Sequence, residues 1–308
     1  MEKYYLAVDI GGSKYITGII SESGKILCKK TYKWTAYTLD AIDKQIKNAI
    51  KETLDAHPDI KITAAGATIP GLADPKEGIW LSTEFMGIKN YPIAKTLEKE
   101  FGLPFYIDND GKACVLAERY FGEGKTCDDF LYMTVSNGIG GGLFLDGKLY
   151  RGAFGNAGEI GQFVVIENGR MSDDGTAGTL EMYAAAAGLV QNYVEAGGSA
   201  TIDAKPADGK SIAAQAAAGG PAALRAFDLE GYYLGKAIAA AHNIIDFKKV
   251  IIGGGLSLAF DLYKDSLLKT VEEQTYKRSY KTPEIMSTSL GYEGAFYGAA
   301  ALAILGSE

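Results

Sequence analysis

The chain has 308 residues, 47% of them apolar, which is enough for about two domains with sizeable cores. Its formal net charge of -7 argues against binding to nucleic acid or an anionic membrane surface, and no apolar stretch approaches the ~20 residues of a membrane span. Its 3 cysteines are scattered without a C-x-x-C pair, which excludes a disulfide framework. With no signal peptide in the first residues, we expect a reducing cytoplasmic location.

The first half of the chain predicts strands that alternate with helices. Apolar runs predict three strands within residues 4–32, and apolar residues at helical spacing predict a helix over residues 38–56. The elements predicted next are a strand over 62–69, a helix over 92–101, a strand over 104–107 and a helix over 112–121. This alternation is typical of an α/β fold.

The second half repeats this plan. Strands are predicted at about 130–151 and 162–166, followed by a helix over 179–195. A stretch rich in Ala, Gly and Asp, from Ala196 to Ala223, predicts a loop with a short helix. The remaining predicted elements are a long helix over 224–246, a short strand over 250–252 and an Ala-rich helix from Gly294.

Two glycine-rich segments each connect one predicted strand to the next. The first is Asp9-Ile10-Gly11-Gly12-Ser13-Lys14, and the second is Ser136-Asn137-Gly138-Ile139-Gly140-Gly141-Gly142. Successive backbone N–H groups in such turns form concavities that bind anions. The pair predicts a nucleotide phosphate tail held between two similar domains, whereas either segment alone could be a tight turn.

Spacing separates these turns from other phosphate-binding motifs. A Rossmann fingerprint starting at Gly138 would need its third glycine at Leu143. A Walker A loop ending in Gly209-Lys210-Ser211 would need glycine at Ala204, and one ending in Gly124-Lys125-Thr126 would need it at Arg119. We therefore interpret both Gly-Lys segments as surface turns.

Polar side chains follow the predicted strand over 104–107 and recur after residue 155. In doubly wound sheets, ligands bind at the carboxyl ends of strands. The strand could continue through Asp108 and Asp110, and a β-turn with a helix N-cap is the alternative. Amide and carboxylate groups suit the hydroxyls of a sugar. The candidates are Asn109, Asp110, Glu159, Gln162 and Glu181.

Together these segments resemble the ROK family of repressors and sugar kinases. The motifs occur in the family's order: Asp9 to Lys14, Ile69-Pro70-Gly71, Asn109-Asp110, Gly138 to Gly142, Ala157-Gly158-Glu159-Ile160-Gly161 and Ile252-Gly253-Gly254-Gly255. The resemblance implies a two-domain actin-like (ribonuclease H-like) α/β ATPase fold with ATP and sugar in an interdomain cleft. We expect domains at 1–115 and 116–291, with the C-terminal helix 292–305 packed on the first.

The resemblance also implies roles for individual residues. Asp110 resembles the catalytic base, and the 2 histidines, His57 and His242, stand where surface and packing roles are expected. Asp9 resembles the residue near Mg²⁺, which it would reach through ATP or water. The implied sugar contacts are Asn109, Asp110, Glu159, Gln162, Glu181 and Gly71. The implied ATP contacts are Asp9, Gly11, Gly12, Ser13, Lys14, Ser136, Asn137, Gly138, Gly254 and Gly255.

The chain departs from the family pattern in two regions. The family usually has His where this chain has Gln162, and C-x-C-G-x-x-G-C-x-E where this chain has the segment from Ser172 to Glu181. Zinc needs about four N or S ligands, so we predict that no zinc is bound. Ser136-Asn137 replaces a more usual Gly-Thr, although Asn can still donate to a phosphate oxygen.

The expected function is an ATP- and Mg²⁺-dependent kinase that phosphorylates a hexose hydroxyl, with C6 favoured. Candidate substrates are glucose, N-acetylmannosamine and a β-glucoside. The phosphate motif begins at Asp9, which leaves no room before it for the regulators' winged-helix domain and favours a kinase. The alternative is a non-catalytic sugar-binding regulator. A homodimer is expected from the resemblance alone.

Overall fold

The computed structural model describes residues 2–277 and 281–307. The strands are β1 (Tyr4–Ile10), β2 (Lys14–Ser21), β3 (Ile26–Lys33), β4 (Ile62–Ile69), β5 (Leu72–Asp74), β6 (Ile79–Thr83), β7 (Ile88–Tyr91), β8 (Phe105–Asn109), β9 (Phe130–Val135), β10 (Ile139–Leu145), β11 (Lys148–Tyr150), β12 (Thr201–Ile202), β13 (Lys205–Pro206), β14 (Lys249–Gly253) and β15 (Glu284–Ser287). The α-helices are α1 (Leu39–Asp55), α2 (Ile93–Phe101), α3 (Asp110–Tyr120), α4 (Leu180–Ala184), α5 (Ala186–Glu195), α6 (Gly209–Ala217), α7 (Pro221–Ile245), α8 (Phe260–Gln274) and α9 (Gly294–Ser307). Within the described ranges, none of these helices has the length and apolar character needed to cross a membrane.

The chain forms two compact units. Unit 1 contains the residues up to Lys125 and those from Glu293 onward, and unit 2 runs from Thr126 to Tyr292. Each unit has its own five-stranded sheet and its own buried apolar core.

The sheet of unit 1 has the strand order β3-β2-β1-β4-β8. β1, β4 and β8 are parallel, and β2 and β3 pair antiparallel beside β1. Asp9 lies opposite Thr68, and Thr68 lies opposite Asp108. The residues that follow β1, β4 and β8 therefore meet at one edge of this sheet.

Two helices of unit 1, α1 and α9, pack against its sheet. α1 follows Thr38, whose hydroxyl accepts a hydrogen bond from Ala41 N at 3.4 Å, and its apolar stripe of Ile42, Ile46 and Ile50 is buried. α9 is apolar on all sides, as expected of a helix surrounded by protein, and it contacts α3, β1, β4 and β8. The C-terminal segment thus completes the core of unit 1.

The sheet of unit 2 has the order β11-β10-β9-β14-β15. As in unit 1, two antiparallel strands, β10 and β11, lie beside the first parallel strand, β9. β9, β14 and β15 run parallel. The repeated plan predicted from the two glycine turns is confirmed by this matching topology.

Several predicted elements of unit 2 differ in the structure. The strand predicted over 162–166 is wrong, because residues 160–162 form a 3-10 turn and only the isolated bridge between Val164 and Thr179 follows. The helix predicted over 179–195 is interrupted at Ala185, whose ψ of 172° is extended, so α4 and α5 are separate. The Ala-rich stretch forms the β12–β13 hairpin and α6.

α7 carries a buried carboxyl group in the core of unit 2. Glu230 is fully buried, and within the described ranges neither of its carboxyl oxygens has a hydrogen-bond partner. Burial raises the pKa of Glu230 well above its ordinary value of 4.5, because a buried carboxylate loses its hydration. Burial, with the nearby Glu230 carboxyl as a smaller cause, also raises the pKa of Tyr263.

We expect Glu230 to make the protein less stable as pH rises. The folded state holds the proton of Glu230 more tightly than the unfolded state does, because the pKa of Glu230 is raised on folding. This contribution to stability is complete below the ordinary pKa of 4.5 and is lost as pH rises through the folded pKa. Glu230→Gln should remove this loss, so its free energy of unfolding should exceed that of the wild type by roughly 1–3 kcal/mol at mildly alkaline pH. Urea unfolding across pH measures this. Exposed Glu273→Gln is the control, and parallel wild-type and Glu230→Gln curves would contradict the expectation.

Candidate functional site

Asp9 lies at the carboxyl end of β1 and is half-buried. Its Oδ1 accepts a hydrogen bond from the Thr68 hydroxyl at 2.7 Å. Burial raises the pKa of the Asp9 carboxyl above its ordinary value of 3.8, whereas the Thr68 hydrogen bond and the Lys14 charge oppose this rise and the Glu293 charge adds to it. A cation placed at this carboxyl would favour its ionised form.

The strand–helix junction at residue 109 positions the next polar group. β8 ends at Asn109 and α3 begins at Asp110, so the continued strand is wrong and the N-cap alternative is right. Asn109 Oδ1 accepts from Gly111 N at 2.9 Å, and its Nδ2 donates to Gly71 O at 2.9 Å. Asp110 is exposed at the first turn of α3, where the helix dipole favours a carboxylate.

Gly71, which follows β4, accepts the hydrogen bond from the Asn109 side chain. Its φ is +82°, and a Cβ at this position would lie 2.2 Å from Ser82 O. Only glycine can bring the carbonyl of residue 71 to Asn109 in this conformation. Gly71, Asn109 and Asp110 therefore form one hydrogen-bonded corner at the same sheet edge as Asp9.

Aromatic side chains hold the first glycine turn. Gly11 N donates to Lys14 O at 3.0 Å, which closes the turn. Trp34 Nε1 donates to Gly11 O at 2.9 Å, and the Tyr37 hydroxyl donates to Gly12 O at 3.2 Å. Sequence reasoning missed both aromatic residues. The rarity of tryptophan, with 2 in the chain, was the only available signal.

Unit 2 contains a cleft of about 620 Å³ at the carboxyl ends of β9 and β14. Predicted residues Ser136, Asn137 and Gly255 line it together. Its other lining residues are Ala186, Gly209, Lys210, Ala213, Leu256, Leu258, Ala259 and Tyr292. The cleft thus combines apolar walls with few polar groups, as small-molecule sites do.

Gly254 brings two backbone turns of this cleft into contact. Its φ is +81°, and a Cβ there would lie 2.4 Å from Val135 O and 2.8 Å from Thr134 Oγ1. The Ser257 hydroxyl donates to Gly254 O at 2.7 Å. The glycine therefore allows the strand ends of β9 and β14 to approach closely.

The first residues of α6 also line the cleft. The surface turn interpreted at residues 209–211 is wrong, because Asp208 caps α6 in a capping box with Ser211. Lys210 consequently stands in the first helical turn, on the wall of the cleft. A lysine at a helix N-terminus suits an anion. Lys210 is not among the site residues predicted from the sequence, because the interpretation of its segment as a surface turn placed it outside the site.

Glu181 lies against the second glycine turn. It occupies the first turn of α4, and its Oε2 accepts a hydrogen bond from Ile139 N at 2.7 Å. The same oxygen lies close to Gly138. Glu159 and Gln162 are exposed; Glu159 precedes the 3-10 turn next to β10, and Gln162 is its last residue. Glu181 is thus fixed to the backbone of the turn.

The segment that replaces the family's cysteine motif forms a hydrogen-bonded turn. The Ser172 hydroxyl donates to Thr176 O at 2.8 Å, and Thr176 N donates to Asp174 Oδ1 at 2.9 Å. These side chains supply no thiolate or imidazole, so they do not fit a zinc site. Across residues 2–277 and 281–307, no group of three or more His, Cys, Asp or Glu side chains could hold a metal ion. The absence of zinc stays a prediction.

Two α/β units with matching sheet order, each with a glycine turn after its first parallel strand, define a protein of the actin-like ATPase fold. The chain belongs to the ROK family, whose family model matches residues 5–305.

Relatives of this chain include enzymes and regulators. A glucokinase from Thermotoga maritima is 31% identical over 307 residues, which cover 96% of each chain. A crystal structure of a ROK family transcriptional regulator, a homologue of the Escherichia coli MLC protein, has a TM-score of 0.89 at 26% identity, covering 97% of this chain and 77% of that chain. A ROK family glucokinase from Streptomyces griseus, in complex with glucose and AMPPNP, has a TM-score of 0.82 at 27% identity, covering 99% and 100%.

Proposed function

We propose that this protein is an ATP-dependent sugar kinase. Similarity to glucokinases along nearly the whole chain supports this class. The observation that carries the proposal is the exposed Asp110 carboxylate, whose Oδ1 accepts a hydrogen bond from Gly111 N at 2.8 Å beside the Asn109 cap, at the sheet edge shared with Asp9. A fixed carboxylate at this place can accept a proton from a bound hydroxyl.

The unit 2 cleft is proposed as the ATP site. Its apolar wall, formed by Ala186, Ala213 and Leu256, suits an adenine ring. Ser136 and Asn137 would hydrogen-bond the phosphates, and Lys210 would neutralise part of their charge. The further proposed contacts with ATP are Gly11, Gly12, Ser13, Lys14, Gly138, Gly254 and Gly255.

Asp9 fits the role of a Mg²⁺ partner. Its half-buried carboxylate is a hard oxygen ligand and would reach the ion through ATP or water. When bound, Mg²⁺ neutralises charge on the phosphoryl oxygens during transfer. Asp9 would have to be ionised for this role.

The pH dependence of activity tests this need for ionisation. Thr68→Val removes the hydrogen bond that opposes the raised pKa of Asp9, so that pKa should rise further. A higher pKa means that Asp9 ionises only at higher pH, so the acid limb of kcat/KM should shift upward. Thr68→Ser keeps a hydroxyl and should retain the wild-type profile. If the pH profiles of kcat/KM for Thr68→Val and wild type coincide, ionisation of Asp9 does not limit activity at low pH.

In the proposed reaction, Asp110 accepts the proton of a sugar hydroxyl, with the C6 hydroxyl of a hexose favoured. The sugar oxygen attacks the γ-phosphorus while the bond to the β-phosphate oxygen breaks, and ADP leaves. Asn109 and the Gly71 backbone would orient the sugar. Glu159, Gln162 and Glu181 are further proposed contacts with sugar hydroxyls, which would favour polyhydroxylated substrates.

A panel assay tests the proposed function. Purified protein with ATP and Mg²⁺ should release ADP only when its sugar is present. The panel contains glucose, N-acetylmannosamine and a β-glucoside, and glycerol serves as a hydroxyl-bearing control. No sugar-dependent ADP release on a broad hexose panel would contradict a kinase.

A sugar-binding regulator is the second candidate. The structure of the ROK family transcriptional regulator resembles this chain with a TM-score of 0.89, so the fold suits a regulator as well as a kinase. A regulator would bind a sugar, and this binding would raise its melting temperature. It would not release ADP. The homodimer and the cytoplasmic location stay predictions.

A further inference from the structure

Arg170 lies in a loop, and its side chain contacts the two helices that follow this loop, α4 and α5. Its side chain is 12% exposed, and Nη1 donates to Met182 O at 3.1 Å. Nη2 donates to Asn192 Oδ1 and to Glu195 Oε2, each at 2.8 Å. The guanidinium also lies 4.5 Å from the centre of the Tyr183 ring. One side chain therefore joins the loop to both α4 and α5.

The backbone of Arg170 strengthens the same junction. Its N–H donates to the Tyr183 hydroxyl at 2.9 Å, and its carbonyl accepts from Gly178 N at 2.8 Å. Gly178 O in turn accepts from Val165 N at 2.9 Å. The segment from 163 to 179, here called the anchored loop, is thus closed at its base and fixed through Arg170.

The anchored loop leads directly into the helix that carries Glu181. Met182 and Tyr183, which Arg170 contacts, are the next residues of α4. Glu181 reaches back to the glycine turn through Ile139 N at 2.7 Å. Displacement of α4 would therefore move the Glu181 carboxylate away from this turn.

We infer that Arg170 is a positioning residue that fixes the anchored loop and, through α4, the Glu181 carboxylate. The donor set of the loop does not fit zinc, and the guanidinium supplies the cross-links instead. The proposed effect on sugar binding rests on the proposed function of Glu181. The anchoring itself does not depend on that function.

The chemistry of this contact set favours arginine over lysine. A guanidinium is planar, always charged and carries five N–H donors, so it can serve carbonyl, amide and carboxylate acceptors together. A lysine ammonium is a compact charge on a flexible stem and cannot reproduce this fork. Loss of the guanidinium would also remove a partner of Asn192, which is 1% exposed.

Hydrogen exchange of Arg170→Ala and Arg170→Lys tests the anchoring without any need for activity. Amides within 163–181 should exchange about 10- to 100-fold faster in both variants, because charge-assisted hydrogen bonds that hold this loop are lost. The rest of unit 2 should keep its protection. The control is Arg225→Ala, which breaks only an exposed ion pair with Asp228. Unchanged exchange in 163–181, or an equal loss of protection throughout unit 2, would overturn the proposal.

Steady-state kinetics test the effect on the site. The sugar KM should rise about tenfold or more in Arg170→Ala while the ATP KM stays near the wild-type value. Guanidinium ion at concentrations too low to denature should lower the sugar KM of Arg170→Ala but not that of Arg170→Lys. A sugar KM that does not change, or an equal rise in both KM values, would overturn the positioning of Glu181. If the wild type had no turnover, the proposed function would fail and exchange alone would decide the anchoring.

Discussion

Asp110→Asn should lower kcat by at least the ~10²–10⁴-fold that a general base contributes, while the sugar still binds. The amide is nearly isosteric with the carboxylate but cannot accept the hydroxyl proton. Because Asn109 and Gly71 hold the corner through their own hydrogen bonds, the local structure should persist. Coupled ADP release measures kcat, and the sugar-dependent rise in melting temperature measures binding.

The matched control for this variant is Asp40→Asn. Asp40 is also an exposed aspartate in the first turn of a helix, α1, so the substitution removes a similar charge at a similar position. Its kcat should stay within about twofold of wild type, because Asp40 is not among the proposed site residues and an exposed charge contributes little. Near-normal turnover of Asp110→Asn would exclude Asp110 as the base.

Gly254→Ala should destabilise unit 2 and weaken ATP binding. The new Cβ would lie 2.4 Å from Val135 O, and Gly254 has a φ of +81° and a ψ of 178°, a conformation that is essentially restricted to glycine. We expect about 1–3 kcal/mol from the backbone conformation and a further ~1–3 kcal/mol from the forced separation of the two turns. Urea unfolding and the ATP KM measure the two effects.

Gly219→Ala is the control for a side chain at positive φ without a clash. Gly219 has a φ of +82°, but a Cβ there meets nothing within 4 Å. Only Gly254→Ala adds close backbone contacts that would separate β9 from β14. Equal destabilisation in the two variants, with an unchanged ATP KM, would show that the close approach at Gly254 has no role in the cleft.

Local patterns made much of the fold predictable from the sequence. The strand–glycine turn–strand pattern is set by residues near one another in the chain, and it gave the duplicated sheets correctly. The turn after β8 was harder, because Asp108 to Asp110 could continue the strand or cap a helix. The Asn109 side chain decides this by its hydrogen bond to Gly111 N.

Residues positioned by distant parts of the chain could not be predicted in the same way. Lys210 reaches the cleft because α6 packs against α5 and α7, which no local motif records. Trp34 reaches Gly11 across the β2–β3 hairpin. Arg170 has contacts on α4 and α5 that depend on the break at Ala185, where residue type predicted a continuous helix.

Short strands were missed for a different reason. β5, β6 and β7 form a three-stranded sheet between β4 and α2, but the stretches from 72 to 91 are too brief to show a clear period. This sheet nevertheless affects the site. Ser82 O lies where a side chain at position 71 would have to go, which makes Gly71 necessary.

Mass spectrometry of the sugar after incubation with ATP, Mg²⁺ and the protein tests the central claim most directly. The account predicts a sugar monophosphate that accumulates in equal amount with ADP, and that is almost absent with Asp110→Asn. A sugar that raises the melting temperature of the wild type but gains no phosphate would contradict the kinase and identify a sugar-binding regulator instead.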